Sequence, residues 1–346
     1  IMEGKVTQLK ESEFYISNYA YEKSRKLPKG SVLTTCIGII GKIGVLIHEA
    51  TCNQQINAII PNESLISSMF LAYSILAKKQ RLAFMANAPV VPILNKSQFS
   101  NLLIPVPPLP VQQRIVSHLD KINQIIDKLR DTLNVLNKAE QAIFYDMFGD
   151  PVENEKGWIV TTYGKQFNIS SGGTPSKSNS EYWDDGCIPW IGSNMCQNCI
   201  IYDNDGKFIT EKGLNNSSTK ILESGTILIA LVGATIGKVG LLKCNVATNQ
   251  NIANVDVTKN DAFDSYFMFY HSQALYSLFM NLGESKFKMA NQSFIRNLPL
   301  IFPPLSLQQS FASRIEVIEA QKQKIQTSID KFQEMLDGAM DNYFGD

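Results

Sequence analysis

No stretch of this 346-residue chain stays apolar for the roughly 20 residues a membrane-spanning helix needs, so a soluble protein without membrane contact is expected. Nor is there an excess of charge of either sign: 32 Lys+Arg balance 32 Asp+Glu. That removes the broad positive field which marks many nucleic-acid binders. A secretory signal is missing at the start. The six cysteines show no paired framework, so reduced thiols and a cytoplasmic location are expected. Cys196 and Cys199 have neither a second cysteine pair nor a nearby histidine to complete a zinc set. His48, His118 and His271 are scattered, which excludes an obvious nucleophilic or metal-assisted catalyst.

A phosphate-binding loop is missing too, although two glycine-rich runs suggest one. They are "GIIGKIGVL" at residues 38–46 and "GATIGKVGLL" at residues 233–242. The phosphate loop needs four residues between its glycines and a Ser or Thr after the Lys, for magnesium. Two residues separate Gly38 from Gly41, three separate Gly233 from Gly237, and the lysines are followed by Ile43 and Val239. The nucleotide reading fails on spacing and on chemistry.

What is present is a duplication. From Gly41 onward a shift of 196 residues places Lys42 on Lys238, Asn53-Gln54 on Asn249-Gln250, and Asn95 on Asn291. It also places Pro107-Pro108-Leu109 on Pro303-Pro304-Leu305, Gln112-Gln113 on Gln308-Gln309, and Phe148-Gly149-Asp150 on Phe344-Gly345-Asp346. Upstream of Gly41 the shift is 195, so Gly30 meets Gly225. A register shared over more than a hundred residues predicts two homologous units. The segment at about residues 157–199 has no counterpart in the first.

Each unit divides at a proline cluster, which continues neither a helix nor a central strand. Beyond each cluster runs an apolar seam at alternating steps of four and three. One seam holds Ile115, Leu119, Ile122, Ile126, Leu129, Leu133, Leu136, Ile143 and Met147, interrupted by Glu140. The other holds Phe311, Ile315, Ile318, Ile325, Ile329, Phe332, Leu336, Ala339 and Tyr343, interrupted by Lys322. About five heptads of a 3.5-residue repeat predict long helices that pair, antiparallel and within the chain. The two polar interruptions are candidates for setting register or receiving a partner. The globular parts read as mixed α/β, with strands at residues 31–37 and 225–232 and helices at residues 63–81 and 262–282.

The order of motifs is distinctive. Gly172-Gly-Thr-Pro-Ser is followed by Ile188-Pro-Trp-Ile, the Gly-Lys turn, Thr248-Asn-Gln-Asn-Ile-Ala, and Pro303-Pro-Leu-x-x-Gln-Gln before the last helix. This resembles the DNA-sequence specificity subunit of type I restriction-modification systems, and the resemblance covers essentially the whole chain. It implies an α+β fold in which two repeated mixed α/β target recognition domains are separated by two long helices forming an antiparallel coiled coil. The boundaries expected are residues 1–108 and 151–304 for the recognition domains and 109–150 and 305–346 for the helices. The first domain lacks the Gly-Thr-Pro and Ile-Pro-Trp segments.

The resemblance also implies a non-catalytic subunit that reads a split sequence in double-stranded DNA. Its expected partners are two methyltransferase subunits and the restriction subunits. No cofactor is expected in this chain: S-adenosylmethionine, ATP and magnesium belong to the partners. The Asn-Pro-Pro-Tyr type of tetrapeptide that amino-methyltransferases use to hold a base is missing. Competing readings are the specificity portion of a fused restriction-methylation enzyme, or a coiled-coil dimeriser without DNA affinity.

For DNA contact the candidates in the second unit are Thr174, Ser176, Lys177 and Ser178 after the paired glycines, against the alternative of an ordinary polar turn. Ser193 and Asn194 follow Ile-Pro-Trp-Ile, and Asn pairs bidentately with adenine. Trp190 is expected in the core. Lys286, Lys288, Asn291, Gln292 and Arg296 form the densest basic-amide cluster, with helix capping as the competing role of Asn291 and Gln292. Lys42 and Lys238 are turn lysines within reach of phosphate. Lys78, Lys79 and Arg81 are a basic run that a helix C-terminus would also attract. The amide triplets at residues 53–55 and 249–251 are expected to be structural.

Overall fold

A computed structural model describes residues 4–86, 92–282 and 289–345 of the chain. It divides into two compact units, Ile1–Thr132 with Lys324–Asp346, and Leu133–Gln323.

In the first unit the chain forms β1 (Val6–Leu9), α1 (Asn18–Lys23), β2 (Val32–Thr35), β3 (Ile43–Leu46) and β4 (Ile56–Ile59). These strands make one sheet in the order β1-β3-β2-β4, antiparallel except for the parallel pair β1–β3. Its apolar face is covered by α2 (Ser68–Ala77), whose Phe70, Leu71, Ala72 and Ile75 are buried. Then follow α3 (Lys79–Met85), α4 (Lys96–Ser100) and the start of α5 (Leu109–Phe148). The single helix expected over residues 63–81 is instead two, because the backbone at Lys78 leaves helical geometry (φ −91°, ψ 16°).

The second unit takes the end of α5. It then forms β5 (Val160–Thr162), α6 (Tyr163–Gln166), β6 (Asn168–Ser171), β7 (Ile188–Ile191), β8 (Cys199–Ile201), β9 (Phe208–Ile209), α7 (Glu211–Asn215) and β10 (Ile221–Leu222). After these come β11 (Ile227–Ala230), β12 (Val239–Leu242), β13 (Val246–Thr248) and β14 (Ile252–Asp256). The remaining elements are α8 (Ser265–Ala274), α9 (Tyr276–Met280), α10 (Gln292–Arg296), β15 (Pro299–Ile301) and α11 (Leu305–Phe344). A five-stranded sheet runs β6-β14-β11-β12-β8, a four-stranded one β10-β13-β7-β9, and β15 pairs with β5. The repeat is visible in the pairing, since β8 lies parallel to β12 as β1 does to β3. Thus β2, β3 and β4 correspond to β11, β12 and β14.

The glycine-lysine runs are the connections between β2 and β3 and between β11 and β12. Gly38, Gly41, Gly233 and Gly237 all have φ between +72° and +81°, the left-handed region that glycine enters without penalty. A Cβ on Gly237 would also come within 2.7 Å of the Phe279 ring. The glycines therefore answer a tight turn and a close approach, and the phosphate resemblance has no structural basis.

Each long helix has 40 residues and contributes to both units. Within the first unit Ile115, Leu119, Ile122 and Ile126 of α5 are buried, as are Ile329, Leu336 and Phe344 of α11. There His118 Nδ1 lies 3.0 Å from the Tyr343 hydroxyl, and Phe344 packs on Phe70 at 5.3 Å between ring centres. Within the second unit Phe144 and Phe148 of α5 pack on Phe311 of α11 at 5.7 and 5.4 Å. Low numbers in α5 thus meet high numbers in α11, so the pair is antiparallel. Phe148 also packs on Phe267 of α8 at 4.9 Å, the counterpart of the Phe344–Phe70 contact. In the first copy Phe148-Gly149-Asp150 is a helix stop: a buried phenylalanine, then a glycine at φ +75°.

The repeated glutamine has an equally concrete role. Gln112, fully buried, donates from Nε2 to the carbonyls of Leu65 and Pro107 at 2.8 and 2.7 Å and accepts from the Ser67 N–H at 2.9 Å. Gln308 donates to Ala262 and Pro303 at 3.1 and 3.0 Å and accepts from the Asp264 N–H at 2.9 Å. Ser67 and Asp264 are the N-caps of α2 and α8. In each unit this side chain ties the start of a long helix to the start of the helix covering the sheet.

The two polar interruptions of the seams meet each other. Lys322 Nζ lies 2.9 Å from Glu140 Oε2 and 2.6 Å from Glu319 Oε1, with Glu140 only 2% exposed. Burial pushes the Glu140 carboxyl above the usual range, against the pull of Lys322. Removing one partner of such a pair leaves uncompensated buried charge. Lys322→Met should therefore lower the stability of the full chain by about 3 kcal/mol in a denaturant titration, while adding both Glu140→Met and Glu319→Gln, so that neither buried carboxylate is left alone, recovers most of that loss.

Candidate nucleic-acid interface

In the second unit β6, β7, β11 and β13 all end, and β8, β12 and β14 all begin, at one end of the two sheets. Five connections gather there: residues 172–178, 192–198, 231–238, 249–251 and 289–292. They are tied by backbone bonds, Gly173 N–H to Thr248 O at 2.9 Å, Asn249 N–H to Ile191 O at 3.1 Å, and Ala290 N–H to Leu231 O at 2.9 Å. Side chains add to this. Thr174 Oγ1 donates to Gln250 Oε1 at 2.6 Å, Lys238 Nζ to Gln197 Oε1 at 2.7 Å, and Gln292 Nε2 to Ser171 Oγ.

The paired glycines at the head of this cluster are required by contact. A Cβ on Gly172 would sit 1.9 Å from the Thr248 carbonyl oxygen, and one on Gly173 would sit 2.3 Å from Ser218 Oγ. This packing carries Thr174, Ser176, Lys177 and Ser178 out of the sheet, where the last three are exposed. Ser176 and Ser178 hydroxyls are 2.8 Å apart. Trp190, 6% exposed, donates from Nε1 to Gly173 O at 3.0 Å and anchors the same turn from the core, as expected.

Thr174, Ser176, Lys177, Ser178, Ser193, Asn194, Lys238, Asn291 and Gln292 thus converge on one surface. Asn291 caps α10 by accepting the Phe294 N–H at 2.8 Å, as Asn95 caps α4. Arg296 turns away: its Nη2 donates to the Ile169 carbonyl on β6. Lys286 and Lys288 lie outside the described residues. Lys42 belongs to the first unit, on the β2–β3 connection, where the Lys79 side chain covers Gly41. Lys78 ends α2, whereas Lys79 and Arg81 open α3, so only Lys78 stands at a helix C-terminus.

Sequence reasoning passed over Gln197 and Asn198, and gave Gln250 only a structural role, whereas its side chain accepts from Thr174 in this cluster. Asn198 has φ +57° and its Oδ1 accepts the Val239 N–H at 2.9 Å, which fixes the loop that Gln197 shares with Lys238. An Asn directly before a strand is the only signal, and it does not identify a partner 41 residues away. In the amide triplets, Asn53 and Asn249 each accept the N–H two residues on at 3.0 Å, a local turn in both units.

The charge of this surface is modest. Asp205 accepts from Lys207 at 2.6 Å and lies 3.5 Å from Asn194 Nδ2; these contacts hold its carboxyl below the usual range despite partial burial. What dominates is amide and hydroxyl, groups that both donate and accept and that can meet base edges as well as phosphate oxygens. His271 is fully buried in the core, its Nε2 accepting from Ile301 N–H and its Nδ1 3.0 Å from the Tyr163 hydroxyl; burial lowers its pKa to about 3. Among the described residues no group of three or more His, Cys, Asp or Glu could hold a metal ion, and no helix is long and apolar enough to cross a membrane.

Comparison with known proteins agrees with this organisation. A family described as the type I restriction modification DNA specificity domain matches residues 3–138 and again 155–331. The MjaVIII type I restriction enzyme specificity subunit of Methanocaldococcus jannaschii is 26% identical over 340 residues, covering 86% of this chain and 74% of that subunit. The EcoR124I/EcoR124II specificity subunit of Escherichia coli is 31% identical over 169 residues, 46% of this chain and 41% of the relative. Against another M. jannaschii subunit, assigned to the enzyme MjaX, identity is 24% and the chain spans 63% of the relative's length. In fold the chain is similar to the type I restriction-modification S subunit of M. genitalium, with a TM-score of 0.55 at 16% identity, over 99% of this chain and 90% of that one.

The contacts of the paired glycines lead to a direct expectation. Gly172→Ala should cost about 3 kcal/mol of stability through overpacking. Gly338→Ala, mid-helix with nothing within 4 Å, should instead add up to about 1 kcal/mol. Thermal or denaturant unfolding of the two variants checks both signs.

Proposed function

Because this chain belongs to the type I restriction modification DNA specificity domain family, we propose that it is a sequence-reading subunit of a type I restriction-modification complex. It recognises a bipartite target in double-stranded DNA and docks two methyltransferase subunits and the restriction subunits. Chemistry then resides in those partners, which carry S-adenosylmethionine, ATP and magnesium. The observation that carries the reading is the gathering of Thr174, Ser176, Ser178, Asn194, Gln197, Gln250 and Gln292 on one surface of the second unit. Such groups discriminate bases, and the lysines beside them supply a smaller phosphate term.

The helices support a spacer role. Each of the 40-residue helices contributes to both units, and one of that length measures about 60 Å at 1.5 Å per residue. The domains proposed are residues 1–108 and 151–304 for recognition, with 109–150 and 305–346 as the connecting helices.

Gel-shift titration of the chain, alone and with a methyltransferase subunit, tests the function against duplexes of varied sequence. No sequence-dependent shift in either setting would leave a scaffold without DNA affinity. Lys177→Ala and Lys238→Ala should each lower the slope of log affinity against log salt by about 0.9 if the lysine neutralises a phosphate. An unaltered slope removes that lysine from the interface. Deleting one heptad from the middle of each long helix should change the preferred spacer while leaving each half-site sequence unchanged, as read by binding to duplexes of graded spacing.

A further inference from the structure

The glycine-lysine turn recurs in both units, and an exposed apolar spot recurs with it. In the second unit Met289 is 70% exposed and pairs with Val232, the residue before Gly233, in an isolated antiparallel bridge. Gly233 and Ala234 at the tip of the turn are exposed as well. In the first unit Ile93 is 51% exposed and pairs in the same way with Ile37, and Gly38 and Ile39 stand exposed at the tip. Bonds on the next residues fix the equivalence. Ala290 N–H donates to Leu231 O and Leu94 N–H to Cys36 O, each at 2.9 Å, and Asn291 and Asn95 then cap the helices that follow.

One exposed apolar side chain needs no explanation, because much of any protein surface is apolar. Two at the same place in a repeat are a different matter. Met289, the more exposed of the two, stands in the unit that has all five connections, so a missing neighbour does not account for it. The side chains differ in shape, isoleucine in one unit and methionine in the other, but both are large and apolar.

The surroundings narrow what such a spot meets. Lys238 leaves the same turn and is held by Gln197 at 2.7 Å, and Asn291 and Gln292 follow Met289 closely in the chain. The spot is a few side chains wide, far short of the roughly 800 Å² that each partner buries in a stable protein–protein interface. In the major groove of DNA the base edges carry donors, acceptors and a single kind of apolar group, the C5-methyl of thymine.

We propose that Met289 is a specificity-determining residue of the second unit, which makes an apolar contact with the C5-methyl of a thymine, and that Ile93 makes the matching contact for the first. The contact rests on the DNA reading proposed above and deepens it. Each half-site then contains a thymine at the position its glycine-lysine turn reaches, and the amides and hydroxyls around the turn read the neighbouring base edges.

The test starts from duplexes that the full chain selects out of a random library. The preferred duplex is resynthesised with deoxyuridine in place of thymidine at single positions, which removes the methyl group alone. Uracil at one position in each half-site should weaken gel-shift affinity by about fourfold, the worth of one buried methyl group. Met289→Ala should lose a similar factor on the thymine duplex and bind thymine and uracil alike at one of those positions. Its thermal unfolding should be unchanged, because the side chain is exposed. Ile93→Ala should erase the preference at the other position. Met289→Leu should keep the preference, and Lys238→Ala should lower the salt slope while leaving it intact. The contact is overturned if uracil is tolerated everywhere, if Met289→Ala still prefers thymine, or if Met289→Ala unfolds at lower temperature. A chain that selects no duplex removes the DNA reading and the contact with it; one that selects a duplex but ignores uracil removes the contact alone.

Discussion

An apolar seam about five heptads long has to be hidden from water, and no short neighbour reaches along it. That constraint accounts for more of this molecule than any other. It requires two long helices rather than one, and it brings the start of α5 against the end of α11 in the first unit and the reverse in the second. Each globular part is then closed by the stop of a long helix, Phe344 on Phe70 and Phe148 on Phe267. Gln112 and Gln308 secure the other helix end with three hydrogen bonds each, made by a side chain with no exposed surface.

The same economy positions the loops of the second unit. Four strands end and three begin at one end of two sheets, so short connections suffice to collect polar side chains from residues far apart in the chain. Gly172 and Gly173 let the backbone pass against Thr248 and Ser218, and Trp190 fixes the turn from beneath. The surface that results carries Lys177 and Lys238 and is otherwise rich in amides and hydroxyls.

The duplication has a further consequence. Two copies of one sheet act as a controlled comparison, in which a side chain exposed at the same place in both is set apart from one exposed singly. Ile93 and Met289 are such a pair, each beside the turn that the glycines shape.

Much of the architecture was legible from residue order alone, because it rests on periodicity and identity. The two units, the paired helices with Glu140 and Lys322 as their polar interruptions, and the failure of the phosphate-loop reading needed no coordinates. Trp190 in the core and the local turn of the amide triplets were legible for the same reason. The break at Lys78 was not, since nothing in its neighbours' helix preference forbids continuation. That Glu140 and Lys322 face each other, that Lys238 reaches Gln197, and that Arg296 turns back to Ile169 are decided by distances between segments dozens to hundreds of residues apart. Periodicity tells which side of an element is buried; only the folded chain decides what that side meets.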